Sequence, residues 1–406
     1  MMRSLRRLAW CAGALAALAP AAARAQVPAD AHWRVITTPH FRVHYTPELE
    51  PLARRAGARA EAAYAEIAAV FVRAPRRRVD LVVTDNVDYA NGFATPFPRN
   101  RVVVFAHPPV DDPSLAYYED WMEVVLTHEL THVFHLDYAR GLPRIPRLVL
   151  GRAPVSFPST TAPAWIKEGM AVYLESRLTR AGRIRGTMHE MTLRTAILEG
   201  RFFSIDRASG NPAAWPVGNT PYIYGSMFLE WMARRYGDEG AREYVRRYGA
   251  QIVPYLNDVA ARRSYGVNFT YAWEAWRTEL EARYRAQADS LRAAGLTEPQ
   301  VLTAEGHDVE FPRWSPDGRW IAYGASTGRE RPEERVMDAE GHVRVLASRT
   351  TLGPTSWTAD GQALVTSMLD LRDPFRTYSD LFRIHAAGGR ERMTENARLL
   401  HPDVAR

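Results

Sequence analysis

Residues 128–132 read His-Glu-Leu-Thr-His. Two histidines four apart share one face of a helix. Two neutral imidazoles in that arrangement can hold one Zn²⁺, and Glu129, one residue on, can act as general base on a water beside the metal. The pattern requires a helix, and the flanks supply one. Trp121 to Leu126 leads in, and Leu130, Val133, Phe134 and Leu136 continue an apolar face. No glycine or proline interrupts the run from Ser114 to Tyr138.

Catalytic zinc takes three protein ligands and keeps one position open. The third ligand should be His, Asp or Glu. Downstream, Ala164-Trp165-Ile166-Lys167-Glu168-Gly169-Met170-Ala171 follows Pro163. Proline suits a helix start, which puts Glu168 in the first turns of a second helix.

His-Glu-x-x-His followed by Trp-x-x-Glu-Gly-x-Ala resembles the gluzincin metallopeptidases, in particular their aminopeptidase N-like and peptidase MA-like members. The resemblance spans roughly residues 33–295. It implies that His128, His132 and Glu168 bind zinc and that Glu129 is the base. The chain departs from the family pattern in two places. The gap from His132 to Glu168 is longer than in the aminopeptidase N group and holds a Pro- and Arg-rich loop, Ala139 to Ala162. Thermolysin-type enzymes carry an Asp four residues after the ligand Glu, where this chain has Val172. Asp137 or a backbone carbonyl then remains to orient the histidines, a role that matters for metal affinity.

The resemblance also implies an oxyanion partner. The aminopeptidase N group carries Tyr-x-x-Gly at the start of a comparable helix, and here Tyr222 stands three before Gly225. Tyr222 inherits that role, with Tyr224 as the fallback; the alternative for both is plain packing. His135 continues the helix face by three and reads as a neighbour of the ligands or a half-exposed side chain. His40, His44 and His107 fall on strands and read as ordinary surface or core residues. The segments upstream of the zinc helix, Asn91 to Ala94 and 101–106, lack the acidic anchor that aminopeptidases use for a substrate amine. That favours an endopeptidase.

The first 25 residues read as an export signal. Arg3, Arg6 and Arg7 precede an apolar run from Leu8 to Leu18, and Ala23-Arg24-Ala25 forms a cleavage site. The run is too short to span a bilayer, so the mature chain has no transmembrane segment. A lipoprotein reading through Cys11 fails, because Trp10 is too bulky before it. Cys11 is the one cysteine in the sequence, so the mature chain has no disulfide. The expected location is periplasmic or secreted, in a bacterium. The formal charge is +6, but residues 1–25 hold four arginines and no acid, leaving the remainder near +2. Arg76-Arg77-Arg78 is a solvated turn, and no basic stripe with interleaved aromatics points to nucleic acid.

Along the chain, residues 33–36 and 41–45 alternate as strands, and 48–73 has helical spacing. Val79 to Thr84 and 101–106 are apolar strands. Asn91-Gly92 and Pro96-Phe97-Pro98 mark turns. Strands before helices predict an α+β unit, a zincin-like sheet packed on the active-site helix, with 101–106 as the cleft's edge strand by resemblance. Helices are expected at 188–199, 222–236, 238–249 and 268–292. From residue 298 the texture changes. Trp314-Ser315-Pro316-Asp317-Gly318 recurs as Trp357-Thr358-Ala359-Asp360-Gly361, an offset of 43 residues. That period suits a four-stranded propeller blade, and the signature resembles TolB-type repeats. A third repeat is expected after Gly388-Gly389-Arg390, and two blades cannot close a ring, so the sequence reads as truncated from a longer protein.

The expected organisation is a signal peptide at 1–25, a peptidase domain at 26–297 and the start of a β-propeller at 298–406. The expected activity is zinc-dependent hydrolysis of a peptide or protein substrate. The alternative is an inactive zinc-binding scaffold whose propeller takes a protein partner. Glu129 argues against it, since a structural zinc site needs no base and has four protein ligands.

Overall fold

The computed structural model describes residues 31–405 apart from 111, 211 and 305–307, so the export signal read at 1–25 and Cys11 lie outside the described residues. A five-stranded sheet opens the fold, from β1 (Arg34–Thr37), β2 (Phe41–Tyr45), β3 (Val79–Thr84), β4 (Gly92–Thr95) and β5 (Arg101–Phe105). Its spatial order is β1-β2-β3-β5-β4. The pairs β2–β3 and β3–β5 are parallel, whereas β1–β2 and β4–β5 are antiparallel. Central parallel strands are covered on both faces, which is why β3 reads as a near-continuous apolar run. Asp80, within it, is buried but ion-paired to Arg42 Nε at 2.7 Å and bonded to His44 Nε2 at 3.1 Å.

This order corrects one expectation. Strand 101–106 is not the edge of the sheet, because β4 covers it. Asn91-Gly92 is not a turn but the entry to that outer strand. Four residues with a glycine are too short and too weakly apolar to announce a strand in sequence; the pairing with β5 creates it.

Helix α1 (Glu50–Val70) packs on the sheet and on α2 (Trp121–Asp137). Asp120 caps α2 by accepting from Met122 N at 3.1 Å, satisfying a free backbone donor. Its other carboxylate oxygen holds Arg59 of α1 at 2.9 Å and Arg55 at 3.0 Å. Almost every residue of α2 is buried, charged ones included. A helix covered all round belongs in a core, so its polar residues are there for chemistry or are internally paired.

The helical half follows. It contains α3 (Ala164–Leu178), α4 (Thr187–Leu198), α5 (Thr220–Tyr236), α6 (Glu239–Tyr248), α7 (Asn257–Tyr265) and α8 (Phe269–Ala293). Pro163 stands at the N-cap of α3, as its position predicts. Helix α7 and a short turn at Ile205–Ala208 were not expected; both are short and polar. Trp165, Phe228, Trp273 and Trp276 form one aromatic cluster, with ring centroids 4.8–5.6 Å apart in the contacts Trp165–Phe228, Trp165–Trp273, Phe228–Trp273 and Trp273–Trp276.

Two glycines set the helix crossing. A Cβ on Gly169 of α3 would lie 2.4 Å from the carbonyl carbon of Gly225 in α5. A Cβ on Gly225 would lie 2.0 Å from Trp165 O. The two backbones therefore touch, and no larger residue fits at either point.

The C-terminal part forms two antiparallel four-stranded sheets. The first runs β6 (Asp308–Trp314), β7 (Ile321–Ser326), β8 (Glu333–Met337) and β9 (Val343–Ser348); the second runs β10 (Thr355–Trp357), β11 (Ala363–Leu371), β12 (Thr377–His385) and β13 (Arg390–Arg392). Gly318 and Gly361 take positive φ of 69° and 68° at the two Asp-Gly turns, as such hairpins require. Among the described residues no closed ring is formed. Arg390–Arg392 is the fourth strand of the second sheet.

Gly169→Ala should overpack the crossing by about 1–3 kcal/mol and lower the thermal midpoint in calorimetry. Gly210→Ala is the control, since an added Cβ there meets only Arg207 O at 3.8 Å; equal midpoints for the two variants would contradict the crossing's role.

Candidate metal centre

Helices α2, α3 and α5 and strand β4 converge on one cleft. Their residues His128, Glu129, His132, Glu168, Tyr222 and Gly92 all line it. His128 and His132 lie one turn apart on α2, with Nε2 atoms 3.1 Å apart. Glu168 Oε2 stands 3.2 Å from His132 Nε2 and 3.5 Å from His128 Nε2. Tetrahedral zinc with ligands near 2.05 Å needs ligand atoms about 3.3 Å apart. The three atoms form a triangle of that size, so the donor set fits the ion.

The charged groups of the cleft are buried and coupled to one another. Burial lowers the His128 pKa and Arg183 adds to that, but hydrogen bonds to Glu168 and Glu175 outweigh both and push it up to about 9. Burial would raise Glu168, yet His132 and His128 hold its carboxyl far below the usual range. Burial raises the Glu129 carboxyl above its ordinary value, with the two histidines opposing. Glu129 Oε2 is buried and has no hydrogen-bond partner. Buried polar atoms without partners are few and call for an explanation; an oxygen reserved for a proton in transit is one.

Strand β4 closes in on this base. A Cβ on Gly92 would lie 3.0 Å from Glu129 Oε1 and 2.8 Å from Val125 Cγ2. The missing side chain therefore leaves the room beside the carboxylate.

The partner that orients His128 is Glu175, which sequence reasoning missed. Its Oε2 accepts from His128 Nδ1 at 2.8 Å. Arg183 Nη2 also lies 2.7 Å from that nitrogen, but a guanidinium cannot accept. A histidine offering Nε2 to a metal carries its proton on Nδ1, so the proton goes to the carboxylate. Arg183 in turn clamps Glu175 through Nε at 2.9 Å, Nη2 at 2.8 Å and its backbone N at 3.1 Å. Burial would raise the Glu175 carboxyl, but Arg183 and His128 bring it down to about 2. A signal was present in the sequence. Glu175 follows Glu168 by seven residues, two turns along one helix face. Asp137, the expected candidate, instead pairs with Arg152 at 2.8 Å and Arg147 at 3.2 Å, anchoring the Pro- and Arg-rich loop.

Tyr222 sits at the start of α5 with its ring stacked on His128, centroids 6.2 Å apart. Arg183 lies over the same ring at 5.0 Å. Burial, then Glu168, raise its hydroxyl's pKa well above that of a free phenol, so it stays a donor. Tyr224, the fallback, is fully buried among Phe203, Phe202 and Trp273 and donates no contact to the cleft. His135, read as a neighbour of the ligands or a half-exposed side chain, is not half-exposed. It is fully buried on α2, near Phe71 and within reach of the charge on His132, and burial pulls its pKa down to about 3. His40 pairs with Glu61 at 2.6 Å, outside the cleft. Asp112, which the sequence did not single out, lines the cleft rim.

Among the described residues one other group could gather round an ion, Asp338, Glu340 and His342. It lies in a turn where Asp338 already accepts from Glu340 N, His342 N and His342 Nδ1 at 3.1, 2.8 and 3.0 Å. No helix of the described residues is long and apolar enough to cross a membrane.

No family model matches the chain. It is 25% identical over 308 residues to an uncharacterized protein of Treponema pallidum (strain Nichols); the match covers 74% of this chain, which spans about a quarter of that relative's length, 26%. Among solved structures it is similar to native yeast LTA4 hydrolase, at 16% identity and a TM-score of 0.34 over 53% of this chain and 33% of that one. Yeast LTA4 hydrolase in complex with bestatin matches at 17% and 0.34, over 68% and 41%. TolB from Acinetobacter baumannii matches at 23% and 0.21, over 24% of each chain.

Glu175→Gln removes the charge that orients His128. Zinc affinity, measured by competition with a chromophoric chelator, should fall about 10–100-fold. Wild-type affinity in a variant with wild-type circular dichroism would contradict the assignment.

Proposed function

We propose that residues 26–297 form an exported zinc metallopeptidase of gluzincin type and that residues 298–406 begin a β-propeller of TolB-like repeats. The observation that carries this reading is the triangle of His128, His132 and Glu168 in a cleft that also holds Glu129 with an unpartnered buried oxygen. A zinc ion held there supplies Lewis acidity toward a carbonyl oxygen and toward water.

The chain's own residues do the rest. Strand β4, the outer strand of its sheet, offers backbone groups to an extended substrate, and edge pairing tolerates many side chains. Glu129, beside Gly92, takes a proton from the attacking water and hands it to the leaving amine. Tyr222 donates a hydrogen bond to the carbonyl oxygen as negative charge develops on it. Glu175 and Arg183 hold His128 in one tautomer and one orientation. The leader at 1–25 assigns the protein to the periplasm or the exterior. The scaffold reading is disfavoured by the three-ligand set, since a structural site takes four.

Cleavage of a random peptide pool by the zinc-loaded full chain tests the proposal. Glu129→Gln should keep zinc and lose cleavage. Tyr222→Phe should keep zinc and lose about 10²–10³ in kcat. An inert wild type, or a Glu129→Gln variant that still cleaves, would overturn it.

A further inference from the structure

The cleft does not end at the metal centre. A second cavity of about 510 Å³ lies where the helical half and its sheet meet the two C-terminal sheets. Ala90, Asp112, Ser114 and Asn219 line both it and the cleft, so the two spaces adjoin. Val110, Pro216 and Val217 form its near wall, and Thr351, Leu352 and Leu369 of the C-terminal sheets form its far wall. A space of this size is typical of a binding pocket, and its lining mixes apolar side chains with carboxylates, among them Asp112, Asp308 and Glu310.

The far wall is fixed to the strand that borders the metal centre. Just before β4, the chain pairs with β12: Asp88 N donates to Thr377 O at 3.1 Å, and Thr377 N to Asn86 O at 3.0 Å. Asp88 is buried and accepts from Ser379 N at 2.9 Å and from Arg398 Nε at 2.8 Å. Arg398 also holds both oxygens of Asp85 at 2.7 Å. Four residues after Asp88 comes Gly92, against Glu129. One stretch of chain thus carries the anchor of the C-terminal sheets, the floor shared by both cavities and the substrate-facing edge strand.

Resting on the peptidase reading above, we infer that the joint cavity is a distal substrate subsite, and that the substrate is an extended polypeptide with a bound segment remote from the scissile bond. Such a chain pairs with β4 beside Glu129 and runs past Ala90 and Asn219 to reach Leu352 and Leu369. Binding energy from that remote segment then serves the reaction at the metal centre, which makes truncated substrates poor ones. The C-terminal sheets are part of the substrate site, not an appended module.

The test compares two quenched fluorescent peptides sharing one cleavage site, of about four and about twelve residues, extended lengths of roughly 13 and 40 Å. With the zinc-loaded full chain, kcat/KM should be about tenfold or more higher for the longer peptide. Thr351→Trp fills the cavity from the C-terminal sheets and Val217→Trp from the opposite wall. In both, provided zinc content and circular dichroism match wild type, the long-to-short ratio should fall toward one. A ratio near one in wild type, or a high ratio that survives both substitutions, overturns the distal subsite while leaving the peptidase standing. No cleavage of either peptide by wild type overturns the peptidase reading and this inference with it.

Discussion

Helices α3 and α5 touch backbone to backbone because Gly169 and Gly225 have no side chains, and the site is built on that contact. Each glycine sits in a motif beside a functional residue, Glu168 one before Gly169 and Tyr222 three before Gly225. A Cβ at either point would meet carbonyl carbon or oxygen at 2.0–2.4 Å. Rigid backbone cannot yield as a flexible side chain can, so any larger residue would move a whole helix. A shift of an ångström would separate Glu168 from the histidines or carry Tyr222 away from His128. The glycines are therefore as much part of the site as the groups that do chemistry, although they touch nothing reactive.

The second constraint is charge in a buried place. Four ionisable side chains, His128, Glu129, Glu175 and Arg183, are almost removed from water in one region. Isolated buried charges are costly unless paired. The chain resolves this by linking them. Arg183 neutralises Glu175, Glu175 accepts a hydrogen bond from His128 Nδ1, and the Nε2 atoms of both histidines face Glu168. Arg183 also covers the Tyr222 ring, so one guanidinium braces both the orienting carboxylate and the phenol. Of these four, Glu129 keeps a buried oxygen without a partner, and it is the group whose protonation changes in the proposed reaction.

Much of this was legible before any coordinates. The two histidines, Glu129 and Glu168 could be placed from spacing and resemblance, because i, i+4 periodicity and a proline at a helix start are local properties. Tyr222 was separable from Tyr224 only in three dimensions, since both lie in one helical turn and only packing decides which ring enters the aromatic core. The spacing put Glu175 on the same helix face as Glu168, but its bonds to His128 and Arg183 join residues 47 and 8 positions away and appear only in the folded chain. The edge strand was misassigned for a similar reason. The run at 101–105 is the more strand-like, but the pairing that covers it comes from four weakly apolar residues whose order in the sheet is not encoded locally. The repeats at Trp314 and Trp357 were clear in sequence, whereas their attachment through Arg398 to Asp85 and Asp88 joins residues some 310 apart, beyond any periodic signal.

Zinc K-edge X-ray absorption on the purified full chain, with His342→Ala beside wild type, tests the central claim most directly. The expected shell is two imidazoles and one carboxylate from the protein plus one exchangeable light atom, at about 2.0–2.1 Å, unchanged by His342→Ala. Failure to retain zinc, or a shell with one imidazole that disappears in His342→Ala, would contradict a metal centre at His128, His132 and Glu168.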